Sequence, residues 1–160
     1  MQGVILLGPV ACMAFRRAAT EHAILAIGNN FVREKLMHQI DTVSFERATV
    51  IHPLSIVSPS AVLGASSAVI AGAIVVTEAR LGVGAFLNCG VVVDHHATVE
   101  DSGHIGVNES MAGCTLKGCG AWIQLGASLG YWVKLAVWKV LLLETGRERC
   151  QTSRAKHRKF

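Results

Sequence analysis

Residues 57–93 read "VSPSAVLGASSAVIAGAIVVTEARLGVGAFLNCGVVV", and this stretch decides the fold because a large aliphatic residue returns at every sixth position. The series continues beyond the stretch, and its members are Val57, Leu63, Val69, Val75, Leu81, Leu87, Val93, Val99, Ile105, Met111, Lys117, Ile123, Leu129 and Leu135. Six residues are about 1.7 helical turns, so an apolar helix face would rotate away from any core. Six is, however, a multiple of the two-residue period of a strand.

Each repeat can therefore be one short strand and a corner, with one large side chain always pointing inward. Stacked repeats form a solenoid, in which each coil packs on its neighbours. An ordinary β-sandwich would instead show irregular spacing of about 8–12 residues, so the regular repeat favours the solenoid. Glycine follows the inward residue at Gly64, Gly82 and Gly106, where it supplies either a positive φ or a close backbone approach.

Lys117 is the one member of the series that is not apolar. A buried ammonium group without a partner is costly because it loses its hydration. We therefore expect the coil to bulge, so that Leu116 points inward and Lys117 reaches solvent.

The bulk composition of the 160-residue chain fits one domain with 51% hydrophobic residues. Its longest apolar runs, "GVILLGPVACMAF" and "LAVWKVLLL", are shorter than the roughly 18 residues that span a bilayer. No positively charged stretch precedes the first run, which argues against a secretory signal. We therefore predict a cytoplasmic protein without a membrane segment.

Cysteine usage agrees with that location, because the five cysteines form no C-x-x-C pair and their number is odd.

The basic residues cluster near the end, where eight of the 15 Lys and Arg residues lie between Lys134 and Lys159. This segment lacks interleaved aromatic residues, so it predicts a solvated tail and argues against nucleic-acid binding.

Residues 91–108, "VVVDHHATVEDSGHIGVN", contain His95, His96 and His104. Acyl transfer to an amine or hydroxyl needs a base, and imidazole suits proton transfer near neutral pH. Histidines in strands are also commonly plain packing or surface residues, and the spacing alone leaves that alternative open. A metal site is not expected, since no H-x-x-x-x-H pair occurs and Cys89, Cys114 and Cys119 fall on different coils.

Four segments together are similar to one family: "HAILAIGNNFVREKL", "IHPLSIVSPSAVLGASSAVIAGAIV", "NCGVVVDHHATVEDSGHIGVN" and "AGCTLKGCGAWIQLGASL". They resemble the hexapeptide-repeat acyltransferases, which are left-handed parallel β-helices. The resemblance is strongest to the sialic-acid O-acetyltransferases and the bacillosamine-type N-acetyltransferases, which act on UDP-amino sugars. It implies a homotrimer, acetyl-coenzyme A as acyl donor and a small sugar or sugar-nucleotide acceptor. It also implies that His95 is the catalytic base and that His104 and Gly113 lie in the donor pocket.

The same resemblance divides the chain into three parts. Residues 1–49 are expected to be a short α/β lead-in, the remnant of a Rossmann-like sugar-nucleotide domain, with Val32, Leu36 and Ile40 on one helix face. Residues 50–135 are expected to be the all-β left-handed β-helix. Residues 136–160 are expected to be a capping helix or a disordered basic tail. Relative to the family, the chain is expected to be shortened at both ends.

His96 departs from the family pattern, which has Asp or Glu directly after the base to hold and polarise the imidazole. Asp94 or Glu100 can compensate if either reaches the ring of His95. Two functions therefore stay open. One is an acetyl-coenzyme A-dependent acetyltransferase, and the other is a non-catalytic trimeric scaffold that has lost donor or acceptor binding.

Overall fold

The computed structural model of the protein describes residues 20–124, 127–144 and 147–152, with side chains described as far as residue 139. A lead-in contains strand β1 (His22–Ala23), helix α1 (Asn30–Thr42) and strand β2 (Glu46–Arg47). β1 and β2 pair in parallel. Short strands then follow at six-residue intervals.

These strands are two residues long: β3 (Val50–Ile51), β4 (Ile56–Val57), β5 (Val62–Leu63), β6 (Ala68–Val69), β7 (Ile74–Val75), β8 (Arg80–Leu81), β9 (Phe86–Leu87), β10 (Val92–Val93), β11 (Thr98–Val99), β12 (His104–Ile105), β13 (Ser110–Met111), β14 (Leu116–Lys117), β15 (Trp122–Ile123), β16 (Ser128–Leu129) and β17 (Lys134–Leu135). Two longer strands complete the described chain, β18 (Lys139–Glu144) and β19 (Arg147–Thr152).

Each short strand pairs in parallel with the strand 18 residues away, as Val92 does with Ser110. Three strands therefore make one coil, and the stacked coils have three flat faces. Face 1 contains β3, β6, β9, β12, β15 and β18; face 2 contains β4, β7, β10, β13 and β16; face 3 contains β5, β8, β11, β14 and β17. The left-handed parallel β-helix predicted from the six-residue repeat is confirmed.

The core of the β-helix consists of the inward residues of the six-residue series, from Val69 through Ile105 to Leu135, each at most 5% exposed. Small residues two positions earlier, such as Ala73 and Ala121, are also fully buried. The alternation of large and small inward side chains fills the narrow interior without voids.

Most corners of the β-helix turn through a residue in the left-handed region, the third after an inward position. Its φ lies between 53° and 72° at Ser66, Gly72, Glu78, Gly84, Gly90, His96, Ser102, Asn108, Cys114, Gly120, Trp132 and Trp138. Gly64 and Gly82, directly after inward residues, have the other role, because a Cβ on Gly64 would lie 2.5 Å from the Gly82 carbonyl carbon and one on Gly82 would lie 2.5 Å from the Asp101 nitrogen. Close approach of neighbouring coils therefore requires them.

The expected bulge at Lys117 is wrong. The ladder holds β14 in register, with Val99 opposite Lys117, and the lysine side chain is 0% exposed. Its Nζ donates to the Ala121 carbonyl oxygen, and Gly103 leaves room for it, since a Cβ there would lie 2.6 Å from Nζ. A bulge would break parallel hydrogen bonds on both sides, whereas burial lowers the pKa of Lys117 well below its usual value and so favours the uncharged amine.

Helix α1 exists as predicted, but its buried face is different. Asn29 caps it by accepting from the Val32 N–H at 3.0 Å, and Val32 itself is 40% exposed. The buried face consists of Asn30, Arg33, Met37 and Ile40. Polar residues can be buried there because backbone carbonyls of the β-helix satisfy them.

Arg33 and Asn30 make these contacts at the corner between faces 3 and 1. The guanidinium of Arg33 donates to the carbonyl oxygens of Gly84 at 3.1 Å and Ser102 at 2.9 Å. Asn30 Nδ2 donates to the Gly120 carbonyl oxygen at 2.8 Å. We call this edge the helix corner; its left-handed residues are Ser66, Gly84, Ser102, Gly120 and Trp138.

The carboxyl end also differs from the expected capping helix. β18 continues face 1 by pairing in parallel with β15, and β19 then folds back antiparallel onto β18. The reason is that the open edge of β15 offers unpaired N–H and C=O groups, which a strand can satisfy and a helix cannot. Residues 153–160 of the expected basic tail lie outside the described residues. Within the described part of the chain, no helix combines the length and the apolar character needed to cross a membrane.

Candidate active site

His95 lies at the corner between faces 2 and 3, directly after β10. Equivalent positions in successive coils form a column that we call the histidine corner: Thr77–Glu78, His95–His96, Gly113–Cys114 and Tyr131–Trp132. The backbone of His95 is fixed on both sides. Its N–H donates to Asp94 Oδ1 at 2.7 Å, and its carbonyl oxygen accepts from the Cys114 N–H at 3.0 Å.

The structure brings His95 and Gly113 together. A Cβ on Gly113 would lie only 2.4 Å from both Cε1 and Nε2 of His95, so the imidazole leans over the glycine of the next coil. Within the described residues, Nε2 of His95 makes no hydrogen bond. The Tyr131 ring, 64% exposed, lies one coil further along, with its centroid 6.4 Å from that of His95. The Nε2 edge thus lies directly over the backbone of Gly113.

His96 reaches the ring of His95, and the two candidate carboxylates do not. The Nδ1 atoms of His95 and His96 are 3.3 Å apart, and the ring planes are inclined at 80°. Among the described contacts, the Asp94 carboxylate accepts from the backbone N–H of His95 and makes no contact with its ring. Glu100 Oε2 instead accepts from the N–H of Cys119 at 3.0 Å and from its thiol at 3.3 Å. Compensation for the missing family carboxylate by Asp94 or Glu100 is therefore not seen.

His104 occupies a different kind of place, on face 1 in β12, where it is 5% exposed. Its ring stacks on Trp122 at 5.2 Å between centroids and contacts Phe86 edge-on at 5.3 Å. Nδ1 lies 2.8 Å from the Gly28 carbonyl oxygen, and Nε2 lies 2.7 Å from Asn88 Nδ2.

These contacts fix the tautomer of His104. A carbonyl oxygen only accepts, so Nδ1 carries the proton and Nε2 accepts from the Asn88 amide. Burial lowers the pKa of His104 to about 4, so the ring is neutral at pH 7. Both nitrogens are thus occupied by the protein itself.

His95 and His104 are not brought together in one chain. They are nine residues apart, which is half of the 18-residue coil set by the strand pairing. His95 therefore lies on the corner between faces 2 and 3, and His104 lies on the opposite face 1. A site that uses both residues needs two copies of the chain.

The described residues contain no group of three or more His, Cys, Asp or Glu side chains that could hold a metal ion. A shallow cavity of about 330 Å³ lies on face 3, and its polar lining includes Arg80, Glu100, Asp101 and Cys119. Burial raises the pKa of the Cys119 thiol, so the thiolate is disfavoured there. None of the residues predicted for the site lines this cavity.

Sequence reasoning missed three residues that the structure places beside the predicted ones. Tyr131 lies two coils after His95, and stepping by 18 residues would have found it. Asn88 is hydrogen-bonded to His104 in the next coil. Its offset of 16 residues does not match the 18-residue coil, so the repeat does not predict this contact. Arg33 carries no signal at all, because a charged helix residue is normally taken as solvated.

Comparison with known families and structures agrees with the fold. No family model matches the chain. GDP-perosamine N-acetyltransferase from Caulobacter crescentus, in a variant form bound to CoA and GDP-perosamine, superposes with a TM-score of 0.79 at 29% identity, covering 81% of this chain and 62% of that one. The acetyltransferase domain of PglB from Neisseria gonorrhoeae, bound to acetyl coenzyme A, gives a TM-score of 0.70 at 23% identity, covering 88% and 77%. WeeI from Acinetobacter baumannii gives 0.61 at 16% identity, covering 81% and 70%.

The structural neighbours therefore include sugar acetyltransferases of the hexapeptide-repeat type, as the sequence resemblance predicted. The similarities to PglB and WeeI show a shared fold and nothing further. The chain spans 62% of the length of the Caulobacter protein.

Proposed function

We propose that this protein transfers an acetyl group from acetyl-coenzyme A to an amine or hydroxyl group of a sugar. The observation that carries the proposal is the position of His95 Nε2, which has no hydrogen-bond partner among the described residues and lies directly over Gly113 of the next coil. The fold is shared with a 29% identical enzyme that was crystallised with CoA and a sugar nucleotide.

In this mechanism His95 is the general base. As the acceptor nitrogen or oxygen attacks the thioester carbonyl carbon, Nε2 takes the proton that the nucleophile loses. The tetrahedral intermediate then collapses and expels the coenzyme A thiolate, which receives that proton from the imidazolium. Gly113 contributes by having no side chain, so the thioester can approach the backbone closely.

We further propose that the working unit is a homotrimer. A closed cyclic arrangement lets the histidine corner of one copy meet the face that carries His104 in the next copy. His104 then shapes the donor pocket through the Gly28 turn and the Trp122 ring, because both of its nitrogens are already bonded. Light scattering that gives a 17 kDa monomer at micromolar concentration would contradict this assembly.

The lead-in, residues 1–49, is proposed to take part in acceptor recognition. Its described part is anchored on the β-helix, because Arg33 and Asn30 donate to four of its carbonyl oxygens. The reaction is proposed to take place in the cytoplasm.

The test uses calorimetry with acetyl-coenzyme A, followed by transfer assays with a panel of amino-sugar nucleotides and sialic acids. His95→Ala should lower the transfer rate by about 10²–10⁴-fold, because that is the usual contribution of a general base. Donor affinity should stay close to that of the parent protein. If the donor binds and His95→Ala transfers acetyl as fast as the parent, the catalytic assignment is wrong.

A non-catalytic trimeric scaffold is the second candidate, and the observation that favours it is His96 in place of the family carboxylate. This function predicts a trimer by light scattering with no heat of binding for acetyl-coenzyme A. Measurable binding of acetyl-coenzyme A together with transfer to any sugar acceptor removes it.

A further inference from the structure

His95 and His96 form a pair of imidazoles whose Nδ1 atoms face each other at 3.3 Å. In the described part of the chain, neither ring makes another hydrogen bond. A nitrogen–nitrogen hydrogen bond needs one donor and one acceptor, so one Nδ1 carries a proton and the other does not. The protonation states of the two rings are therefore linked.

We propose that His96 is a positioning residue that sets the tautomer of His95, and its catalytic consequence rests on the proposed function. When His95 Nδ1 donates to His96, Nε2 of His95 is unprotonated and can act as base above Gly113. When His96 donates instead, Nε2 of His95 holds the proton and the base is blocked. A carboxylate only accepts and would enforce the first arrangement, whereas a neutral histidine permits both.

Protonation of His96 removes the competent arrangement altogether. An imidazolium has an N–H on both nitrogens, so its Nδ1 can only donate. His95 Nδ1 then accepts, and its proton resides on Nε2. The base is therefore lost as soon as the pair gains one proton, whichever ring that proton came to.

The groups around the pair leave this linkage undisturbed. The Asp94 carboxylate accepts from the backbone N–H of His95, at 2.7 Å. Glu78 and Cys114 occupy the same corner position as His96 in the coils before and after it. The Tyr131 ring approaches only the His95 ring, at 6.4 Å between centroids. Among the described contacts, no carboxylate competes with His96 for Nδ1 of His95.

The corner geometry supplies variants that keep the backbone. His96 has φ 56°, and the same left-handed position holds Asn108 at 56°, Glu78 at 57° and Gly90 at 68°. His96→Asn retains an acceptor that does not titrate, and His96→Glu retains one that can only accept when ionised. His96→Gly removes the partner without backbone strain. His38→Gln, at an exposed position on α1, is the matched control.

Kinetics across pH 5–9 give the first readout. We expect His96→Asn to retain most of kcat and His96→Glu to match or exceed the parent at the basic end of this range, because an ionised carboxylate only accepts and so keeps Nε2 of His95 unprotonated. His96→Gly should lower kcat about tenfold with both KM values unchanged, because the base is still present but its tautomer is no longer held. His38→Gln should match the parent. An unchanged kcat in His96→Gly, or a His96→Glu variant much slower than the parent at the basic end of the range, would overturn the proposal.

Nitrogen-15 chemical shifts of the imidazole rings give a second readout that needs no substrate. In the parent, His95 should change from the Nδ1–H to the Nε2–H form as His96 gains its proton; in His96→Asn, His95 should stay in the Nδ1–H form until it titrates itself. If the linkage is present but no acceptor is acetylated, the role of His96 in setting the tautomer of His95 is supported and the proposed function is contradicted. If the tautomer of His95 does not change when His96 gains a proton, the proposed linkage between the two rings is refuted, whatever the transfer activity.

Discussion

The helix corner and the histidine corner are built from the same coils by the same backbone turn, yet they differ in what covers them. Ser102 at the helix corner has φ 53° and His96 at the histidine corner has φ 56°. The helix corner has serine or glycine at four of its five left-handed positions and Trp138 at the fifth, and it is covered by α1, whose Arg33 is 1% exposed. The histidine corner has no such cover in the described chain, and its side chains project outward.

The difference shows that the corner backbone does not dictate the corner residue. Glycine avoids the steric cost of a positive φ, yet glutamate, histidine, cysteine and tryptophan all occupy this position. Stacking of the coils imposes the turn, so each side chain is free to serve packing or chemistry. Mostly small side chains accommodate a helix at one edge, and two imidazoles contact each other at the other.

Arg33→Met should cause the largest loss of stability, because it removes hydrogen bonds that hold α1 on the helix corner. The substitution leaves buried carbonyl oxygens of Gly84, Ser102 and Ile27 without their donor. We expect the free energy of unfolding to fall by about 4 kcal/mol, since several buried acceptors lose partners at once. Urea denaturation measures this, with the exposed Lys35→Met as control. Equal stability of the two variants would mean that α1 is not held by Arg33.

Acid should weaken the same region through His104. Its pKa is about 4 in the folded protein and about 6.5 in an unfolded chain, so the unfolded state binds the proton more readily. The stability from the neutral ring is complete above pH 6.5 and is lost as pH falls toward 4, by about 3 kcal/mol in total. His104→Phe should abolish this part of the pH dependence, whereas His38→Phe should keep it. Denaturation midpoints measured from pH 4 to 7 decide the point.

A matched pair of glycine substitutions should separate the two corners by function. In Gly113→Ala the new Cβ displaces the His95 ring, so kcat should fall about 30-fold while the melting temperature stays nearly constant. In Gly84→Ala the new Cβ meets Met37 Sδ at a φ of 65°, so stability should fall by about 1–2 kcal/mol with kcat retained. The reverse pattern would show that the two edges had been assigned the wrong roles.

Lys117→Met should have the smallest effect, and in the stabilising direction. Lys117 lies beneath the helix corner and shares the Ala121 carbonyl oxygen with Asn30 of α1. Because burial lowers the pKa of Lys117, the unfolded chain binds more protons and parent stability should rise with pH toward 10. The methionine variant should gain about 1–2 kcal/mol at pH 7 and lose that slope. Exposed Lys134→Met is the control, and a parent curve that is flat between pH 7 and 10 would contradict the buried neutral amine.

The repeat could be read from sequence because stacked coils require an inward residue at every sixth position, and Val57 to Leu135 display it. The joint placement of His95 and Gly113 was implied by the family resemblance and agrees with their 18-residue offset. The separation of His95 from His104 also follows from the coil length, although the resemblance had assigned both to one catalytic region.

Other features could not be derived because they depend on contacts between parts far apart in sequence. The buried face of α1 follows the positions of carbonyl oxygens at Gly84, Ser102 and Gly120, whereas periodicity favours Val32 and Leu36. Lys117 remains in the core because the ladders with β11 and β17 resist a bulge more strongly than a local argument predicts. β18 replaces the expected helix because the β15 edge is open, and a local pattern does not show an edge.

The 18-residue coil also sets a rule for how this chain can change length during evolution. Inserting or deleting six residues between His95 and Gly113 would preserve the inward series but turn the rest of the chain by one face. Gly113 would then leave the edge that carries His95, and Tyr131 would leave with it. A change of 18 residues would keep every residue on its edge, while moving Gly113 along the axis by one strand spacing of roughly 4.8 Å. Only the intact spacing keeps the base above a glycine, so gene variants with an altered length between His95 and Gly113 are expected to remain folded and lose the chemistry.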